Sequence, residues 1–560
     1  MKIVLAQQNY HIGNFEINTN KIIDAIATAK NAGADLIVFS EMSVCGYPAR
    51  DFMDFNDFVD RCYEAVDKIK MHADTIGVIV GGPDRNPVRE GKDLFNAAYF
   101  LYNQDIIGVA HKTCLPNYDV FDEYRYFEPA FKWNCIEFMG KKIALTVCED
   151  IWNLGDNPLY RICPMDILMP QQPDLMINIS ASPFDYTHAE DRKATMKSNV
   201  LKYQIPLIYC NSVGSQTEII FDGASLVFDK NANLCCQLPQ FKEELKEVNL
   251  LDDGTFAEEV MEPATLLPNA LLEPLSFVAD LNISQVHDAI ILGIRDYFTK
   301  MGFKKAIIGS SGGIDSAVTI VLACKALGVE NVLAVLMPSE FSTSHSVSDA
   351  EQLSKKIGNP YHIVPIKAIY EQFTKELKPI FKDAPFSIAE ENLQARTRGS
   401  LLMAIANKFG YILLNTSNKS ELAVGYGTLY GDMAGGLAVL GDCYKQQVYE
   451  LARYINSPEE IIPTHIIDKA PSAELRPGQK DVDSLPPYSL LDEVLYQYIE
   501  RVKGPEEIKA LGHDHVLVDR ILKLVNRNEY KRNQFCPIIR ISPKAFGVGR
   551  RLPIVANYLD

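Results

Sequence analysis

The stretch "IIGSSGGIDSAV", Ile307 to Val318, moves from an apolar run through a Gly-Ser turn into residues that suit the first turn of a helix. Strand, tight glycine-rich turn and helix form the repeating unit of a parallel sheet covered by helices. The backbone N–H groups of such a turn, with the positive end of the helix dipole, make a site for an anion. The turn is not a Walker A loop, because no Gly-Lys-Ser/Thr follows, and it has no G-x-G-x-x-G for a dinucleotide. Its unusual member is Asp315, since a carboxylate beside a phosphate repels it unless a cation such as Mg²⁺ lies between them.

The same alternation extends on both sides of this turn. The second half begins with an amphipathic helix, "SQVHDAIILGIRDYFTKMG", and continues through strand "KAIIGSS", helix "DSAVTIVLACKALG", strand "NVLAVLMP", helix "SVSDAEQLSKKIG" and strand "YHIVPI". This predicts a Rossmann-like, doubly wound parallel sheet. The first half also alternates: "KIVLAQQ" is a strand, "NKIIDAIATAKNAGA" a helix, and "DLIVFSE" a strand that ends at Glu41. Two strands around Asn103-Gln104-Asp105 lead to Lys112, "KKIALTVC" ends at Cys148, a helix starts near His188, and "ASLVFDKNANLCCQL" is a hairpin. From about Gln240 to Asn282 the pattern weakens and turns acidic and proline-bearing, which predicts a boundary. "PSAELRPGQKDVDSLPPYS", from Pro471, is too rich in Pro, Gly and charge for a packed element. It is read as either a lid or a surface loop.

Composition bounds the function. The chain has 560 residues, 47% hydrophobic and 23% charged, as expected of a soluble globular protein with more than one domain. A net charge of −17 argues against nucleic acid or an anionic membrane surface as a partner. The start "MKIVLAQQNYHIGNF" turns polar too soon for a signal peptide, and no run is long enough to span a bilayer. The 12 cysteines show no CxxC pair and no zinc or disulfide spacing, so a reducing cytoplasmic compartment is expected.

Ser311-Gly312-Gly313-Ile314-Asp315-Ser316 resembles the SGGxDS pyrophosphate loop of the ATP pyrophosphatase superfamily, whose members adenylate an acceptor oxygen. "ENLQARTRG" from Glu391, "LLNTSNKSELAVGYGTLYGDMAGGLAVLGDCYK" from Leu413 and "EYKRNQFCP" from Glu529 resemble the NAD synthetases within it. The resemblance implies an ATP site at Gly309, Ser310, Ser311, Gly312, Gly313, Ile314, Asp315, Ser316 and Thr416. It implies deamido-NAD contacts at Asn392, Arg396, Glu421 and Lys531, and Mg²⁺ at Asp315 and Glu421. Asp432 and Lys445 are expected near the reacting groups.

Cys148 poses a different problem. In "KKIALTVCEDIW", Lys141 to Trp152, two acids follow it at once and disfavour a thiolate. A lone cysteine ending an apolar strand ordinarily packs as a small hydrophobe. However, "FSEMSVCGYP", "HKTCLPNYDVFDEYRYF" and "TVCEDIW" resemble the Glu, Lys and Cys motifs of the nitrilase superfamily, and most closely the glutaminase domain fused to NAD synthetases. The resemblance implies Glu41 as general base, Lys112 as charge partner and oxyanion stabiliser, and Cys148 as a nucleophile forming a thioester. Glu123 is expected to orient Lys112 or water. Tyr118, Ser182 and His188 match glutamine contacts, although the family usually carries Lys or Arg where this chain has His188.

Together the resemblances imply an N-terminal nitrilase-like α-β-β-α sandwich over residues 1–265, a linker over 266–284 and a synthetase domain over 285–560. The implied substrates are glutamine, ATP and deamido-NAD, with Mg²⁺ as cofactor, and a homo-oligomer is expected. Two other readings remain open at this stage: an amidotransferase of the same superfamily acting on a different carboxylate or nucleotide, and a nucleotide sensor without turnover.

Overall fold

The computed structural model describes residues 1–154, 159–262, 282–476, 478–479, 481–483 and 485–559. The chain divides into two compact units, Met1–Glu273 and Pro274–Asp560. Most of the expected linker, 266–281, lies outside the described residues.

In the first unit, one six-stranded sheet comprises β1 (Lys2–Gln7), β2 (Leu36–Val38), β3 (Gly77–Arg85), β4 (Leu94–Tyr102), β5 (Asp105–His111) and a strand late in the sequence (Glu244–Asn249). A second comprises β6 (Ile136–Phe138), β7 (Lys141–Val147), β8 (Leu175–Ser180), β9 (Leu207–Asn211), β12 (Leu226–Phe228) and β13 (Leu234–Gln237). Between β9 and β12 lies a two-stranded ribbon, β10 (Val213–Gln216) with β11 (Ile219–Asp222). The strand Glu244–Asn249 is then β14, and the first sheet runs β14-β1-β2-β3-β4-β5 while the second runs β13-β12-β9-β8-β7-β6.

Alternation along β1 shows how the layers stack. Ile3 and Leu5 join Leu145, Ile177 and Ile208 in a core between the two sheets, whereas Val4 and Ala6 face Ile22, Ile26, Val59 and Val66. Those residues belong to helices α1 (Phe15–Asn31) and α2 (Asn56–Lys70). On the far face of the second sheet, Met176 and Tyr209 pack with Met165 and Leu168 of α3 (Pro164–Leu168) and with Met196 and Val200 of α4 (His188–Tyr203). The order of layers is helix, sheet, sheet, helix, as the sandwich expectation requires.

Two expectations need correction. The segment from Gln240 is not wholly boundary: β14 pairs antiparallel with β1 from Lys2↔Asn249 to Gln7↔Glu244. It is an edge strand whose residues are mostly exposed, so its sequence lacks the apolar run that marks an interior strand. Strands also stop short of the expected residues. β2 ends at Val38, three residues before Glu41, and β7 ends at Val147, where a turn takes over at Cys148.

The second unit starts with α5 (Ile283–Met301), so the helix begins inside the expected linker end at 284. Its sheet contains β15 (Lys305–Gly309), β16 (Val332–Leu336), β17 (Tyr361–Ile363), β18 (Tyr411–Asn415) and β19 (Leu437–Ala438), in the order β17-β16-β15-β18-β19 with every pairing parallel. Helices α6 (Ile314–Leu327) and α7 (Ser344–Ile357) follow β15 and β16, and α8 (Lys367–Phe381) and α9 (Ile388–Phe409) precede β18. Leu402 and Ala406 of α9 cover one face of the sheet by packing on Ile307, Leu333 and Val335. Helices α10 (Lys419–Val424), α11 (Lys445–Ile455) and α12 (Thr464–Asp468) also contribute residues to the cavity wall, and α13 (Tyr488–Ile499) packs against α10. The chain winds one way from β15 to β17 and the other way through β18 and β19, so the strand order reverses at β15. A crevice at the carboxyl end of that strand is the expected ligand position.

Candidate active sites

In the first unit Cys148 opens the short turn Cys148–Ile151 with φ +45°, a left-handed backbone that a side chain rarely adopts. Asp150 holds the turn in place. Its Oδ2 accepts from the Val147 N–H at 3.0 Å, and its Oδ1 accepts from the Thr113 and Cys114 N–H groups at 2.8 and 2.9 Å. One buried carboxylate thus ties the cysteine turn to the segment that follows Lys112. The carbonyl of Cys148 accepts from Asn178 Nδ2 at 3.3 Å.

Lys112 is fully buried, and its Nζ donates to Glu41 Oε1 and Glu123 Oε1, both at 2.8 Å. Glu41 is further held by Asn96 Nδ2 at 2.7 Å and the Ala181 N–H at 2.8 Å, and Glu123 accepts from the Tyr47 hydroxyl at 2.7 Å. Burial, the largest influence, pulls the Lys112 ammonium down, but the charges of Glu123 and Glu41 outweigh it and hold the group above the usual lysine range. Burial pushes the Glu123 carboxyl up to about 7, opposed by Lys112 and helped by Glu41. Burial and then Glu41 raise the Cys148 thiol, while Lys112 lowers it. Cys148 therefore rests as a thiol, with the side chains of Glu41 and Lys112 in its field.

The three expected glutamine contacts divide into two groups. Ser182 Oγ and His188 Nε2 are 2.9 Å apart, and the His188 ring stacks on Trp152 at 4.8 Å between centroids and 8° between planes. The Tyr118 hydroxyl donates to Glu149 Oε1 at 3.0 Å. Asn96, Tyr47, Asp150 and Trp152 were not singled out from sequence, because each acts through a partner distant in the chain.

In the second unit a cavity of about 290 Å³ opens at the end of β15. Gly309, Ser310, Ser311, Gly313, Ile314, Asp315, Ser316, Thr416 and Glu421 line it. Gly312 supports the loop from behind. Its φ is +77°, and a Cβ there would lie 2.2 Å from the Ser346 carbonyl oxygen. Ser316 Oγ donates to the Gly313 carbonyl at 3.0 Å, and Ser311 Oγ accepts from the Gly313 N–H at 3.2 Å.

Asp315 and Glu421 face the cavity from the first turns of α6 and α10. Lys445, at the first position of α11, stands between them, 2.6 Å from Asp315 and 3.6 Å from Glu421. Burial and then Asp315 push the Glu421 carboxyl up to about 8, while Lys445 lowers it. Asn418 Nδ2 also donates to Asp315 at 2.9 Å. Among the described residues no group of three or more His, Cys, Asp and Glu side chains is arranged to hold a metal ion. Two facing carboxylates beside a phosphate loop fit the donor set of Mg²⁺, which takes one or two carboxylates and draws its other ligands from phosphates and water.

The remaining expected contacts converge on one turn rather than on the cavity wall. Asn392 Oδ1 accepts from the Thr428 hydroxyl at 2.7 Å, Arg396 Nε donates to the Leu429 carbonyl at 3.2 Å, and Lys531 Nζ donates to the Gly425 and Gly427 carbonyls at 2.8 and 2.9 Å. Asp432 ends that turn and does line the cavity, with its carboxyl raised by burial. The segment read as either lid or surface loop lies over the cavity: Pro471 to Leu475 line it, together with Lys469. Arg398 and Lys469 are cavity cations that the sequence did not mark.

Comparison with known proteins matches both units. The carbon-nitrogen hydrolase family matches residues 2–251, and the NAD synthase family matches residues 286–535. The chain is 41% identical over 563 residues to the glutamine-dependent NAD(+) synthetase of Synechocystis sp., covering 99% of each chain. The chain belongs to the glutamine-dependent NAD(+) synthetases. The synthetase of the same name from Thermotoga maritima is 39% identical over 582 residues, covering 100% of this chain and 99% of that one. The solved glutamine-dependent NAD+ synthetase of Acinetobacter baumannii, in complex with ADP, is 38% identical with a TM-score of 0.76, covering 99% of this chain and 98% of that one. That of Cytophaga hutchinsonii, at 20% identity and a TM-score of 0.81 over 99% and 98%, shares the fold.

Proposed function

We propose a division of labour between the two sites that makes the chain a glutamine-hydrolysing, ATP-dependent NAD synthetase. It amidates deamido-NAD with ammonia taken from glutamine. In the first unit Glu41 takes the Cys148 proton as the sulfur attacks the glutamine carboxamide, and returns it to the departing ammonia. Lys112 offsets the carboxylates and stabilises the tetrahedral oxyanion. Water then hydrolyses the thioester to glutamate. Ser182, His188 and Tyr118 hold the amino-acid end of the substrate.

In the second unit the loop from Gly309 to Ser316, with Thr416, holds ATP. Asp315 and Glu421 would hold Mg²⁺, which screens the charge of the phosphates. Asn392, Arg396 and Lys531 shape the turn 425–431 against which deamido-NAD lies, with Glu421 beside it. The nicotinate carboxylate attacks the α-phosphorus, pyrophosphate leaves, and ammonia displaces AMP to give the amide. A cytoplasmic homo-oligomer acting on small molecules, with neither nucleic acid nor membrane as partner, completes the proposal. No helix among the described residues is long and apolar enough to cross a membrane.

The observation that carries the reading is the fully buried Lys112–Glu41 pair whose charges act on Cys148. The test is Cys148→Ala, assayed for NAD from deamido-NAD, ATP and Mg²⁺ with glutamine or an ammonium salt. The variant should lose glutamine-dependent synthesis by several orders of magnitude, as for an essential nucleophile, and keep ammonia-dependent synthesis. Glutamine-dependent synthesis surviving in the variant would remove Cys148 as nucleophile.

A further inference from the structure

Residues 469–475 line one side of the cavity in the second unit, and polar contacts rather than apolar packing hold them there. None of the seven is fully buried. The anchor is Glu474. Its Oε1 accepts from Ser346 Oγ at 2.6 Å, Lys469 Nζ at 3.0 Å and Thr343 Oγ1 at 3.1 Å, and its Oε2 accepts from the Thr343 N–H at 3.3 Å. Thr343 caps α7, so the carboxylate also sits at the positive end of a 14-residue helix. Lys469 donates to Ser346 Oγ as well, which closes the cluster. An ammonium, two hydroxyls and a backbone N–H on one pair of oxygens is the donor set that recognises a phosphoryl group.

Four further observations bear on this cluster and its segment. Ser346 abuts the phosphate loop, where its carbonyl leaves no room for a Cβ on Gly312, so the cluster adjoins the bottom of the anion site. Ser310, in the same cavity, has a hydroxyl that is buried and has no hydrogen-bond partner. Glu474 itself has φ +48°, a left-handed backbone held by its contacts rather than by intrinsic preference. On the other flank Gln394 of α9 holds the same segment, its Nε2 donating to the Leu475 carbonyl at 2.9 Å.

We propose that Glu474 is a tethered competitor for phosphate, an affinity-setting residue whose carboxylate occupies the oxyanion position beside Lys469 and the start of α7. A phosphoryl group entering the cavity displaces it and takes over its donors, and Lys469 passes from carboxylate to phosphate. When pyrophosphate departs, Glu474 returns. The residue lowers the affinity for ATP and for pyrophosphate together, which speeds product release at the expense of binding. This rests on the reading of the cavity as the ATP site.

The test is calorimetry on the full chain with inorganic pyrophosphate, ATP and adenosine as separate probes, each in Mg²⁺, using wild type, Glu474→Gln and Glu474→Asp. A latch engaged in roughly 70–97% of molecules raises the apparent dissociation constant by about three- to thirtyfold. Glu474→Gln should therefore bind pyrophosphate and ATP more tightly by that factor, and adenosine as before. Glu474→Asp, one methylene shorter, should fall between the two. Thermal melts show whether Glu474→Gln is folded, and if it is not, Glu474→Asp decides. Pyrophosphate bound equally or more weakly by the deciding variant overturns the latch. Wild type binding neither ATP nor pyrophosphate overturns the assignment of the cavity, and the latch with it.

Discussion

Replacing Lys112 with methionine tests the first site through both stability and chemistry. The side chain has no exposure and is the cation shared by Glu41 and Glu123, which are themselves buried. Methionine keeps most of the volume, so the chief loss is the charge. Removing one partner of a buried ion pair typically destabilises by about 3–5 kcal/mol, because the remaining charge is uncompensated. Here two carboxylates are left behind, and the protonation of Glu123 fixes the pH dependence. Glu123 already sits at about 7 with the lysine present, driven up first by burial, and loss of the cation moves it higher. A carboxyl whose folded-state pKa lies above its unfolded value contributes stability that is complete below the unfolded pKa and lost as pH rises through the folded one. The deficit of Lys112→Met should thus be about 3–5 kcal/mol at pH 8 and shrink to roughly 2 kcal/mol at pH 5.5, where Glu123 carries a proton in both proteins. Urea unfolding at the two pH values, followed by a probe in the first unit, measures both. The folded variant should also hydrolyse no glutamine while still using ammonia. A deficit below about 1 kcal/mol, or one that grows toward acid pH, would refute the reasoning.

Other consequences can be checked directly. Asp315→Ala should abolish NAD synthesis from glutamine and ammonia alike while basal glutamine hydrolysis persists, and normal ammonia-dependent synthesis would dismiss Asp315 as a metal ligand. His188→Ala should raise the Michaelis constant for glutamine by roughly tenfold, about 1.4 kcal/mol, and leave ammonia-dependent synthesis alone; an unchanged constant removes the Ser182–His188 pair from the substrate. Asp492 is buried, accepts from Ser420 Oγ at 2.5 Å and the Gln446 N–H at 3.0 Å, and is pushed up to about 7, chiefly by burial. Its contribution to stability should fall between pH 4 and 7 by up to about 4 kcal/mol, at 1.36 kcal/mol per pKa unit, and Asp492→Asn should flatten that slope in chemical denaturation.

The sequence by itself determined the class of both units, because that information is local. The passage from Ile307 to Val318 specifies strand, turn and helix through the periodicity of its apolar residues and the glycines its turn demands. The motifs around Glu41, Lys112 and Cys148 were legible for the same reason, each being a short run with a characteristic order. Tertiary structure decided everything that depends on which distant residues meet. Asp150 locks the turn at Cys148 by accepting from the Thr113 and Cys114 N–H groups, and Lys445 pairs with Asp315 from 130 residues away. β14 was invisible because a mostly exposed edge strand gains its place from pairing with β1 rather than from its own hydrophobic pattern. Pro471 to Leu475 could be read only as lid or loop, since a segment without a core of its own takes its position from partners, and Thr343, Ser346 and Lys469 supply them. Local propensity and spacing act between neighbours in the chain, whereas burial and charge act between neighbours in space, and only the folded chain brings the second set together.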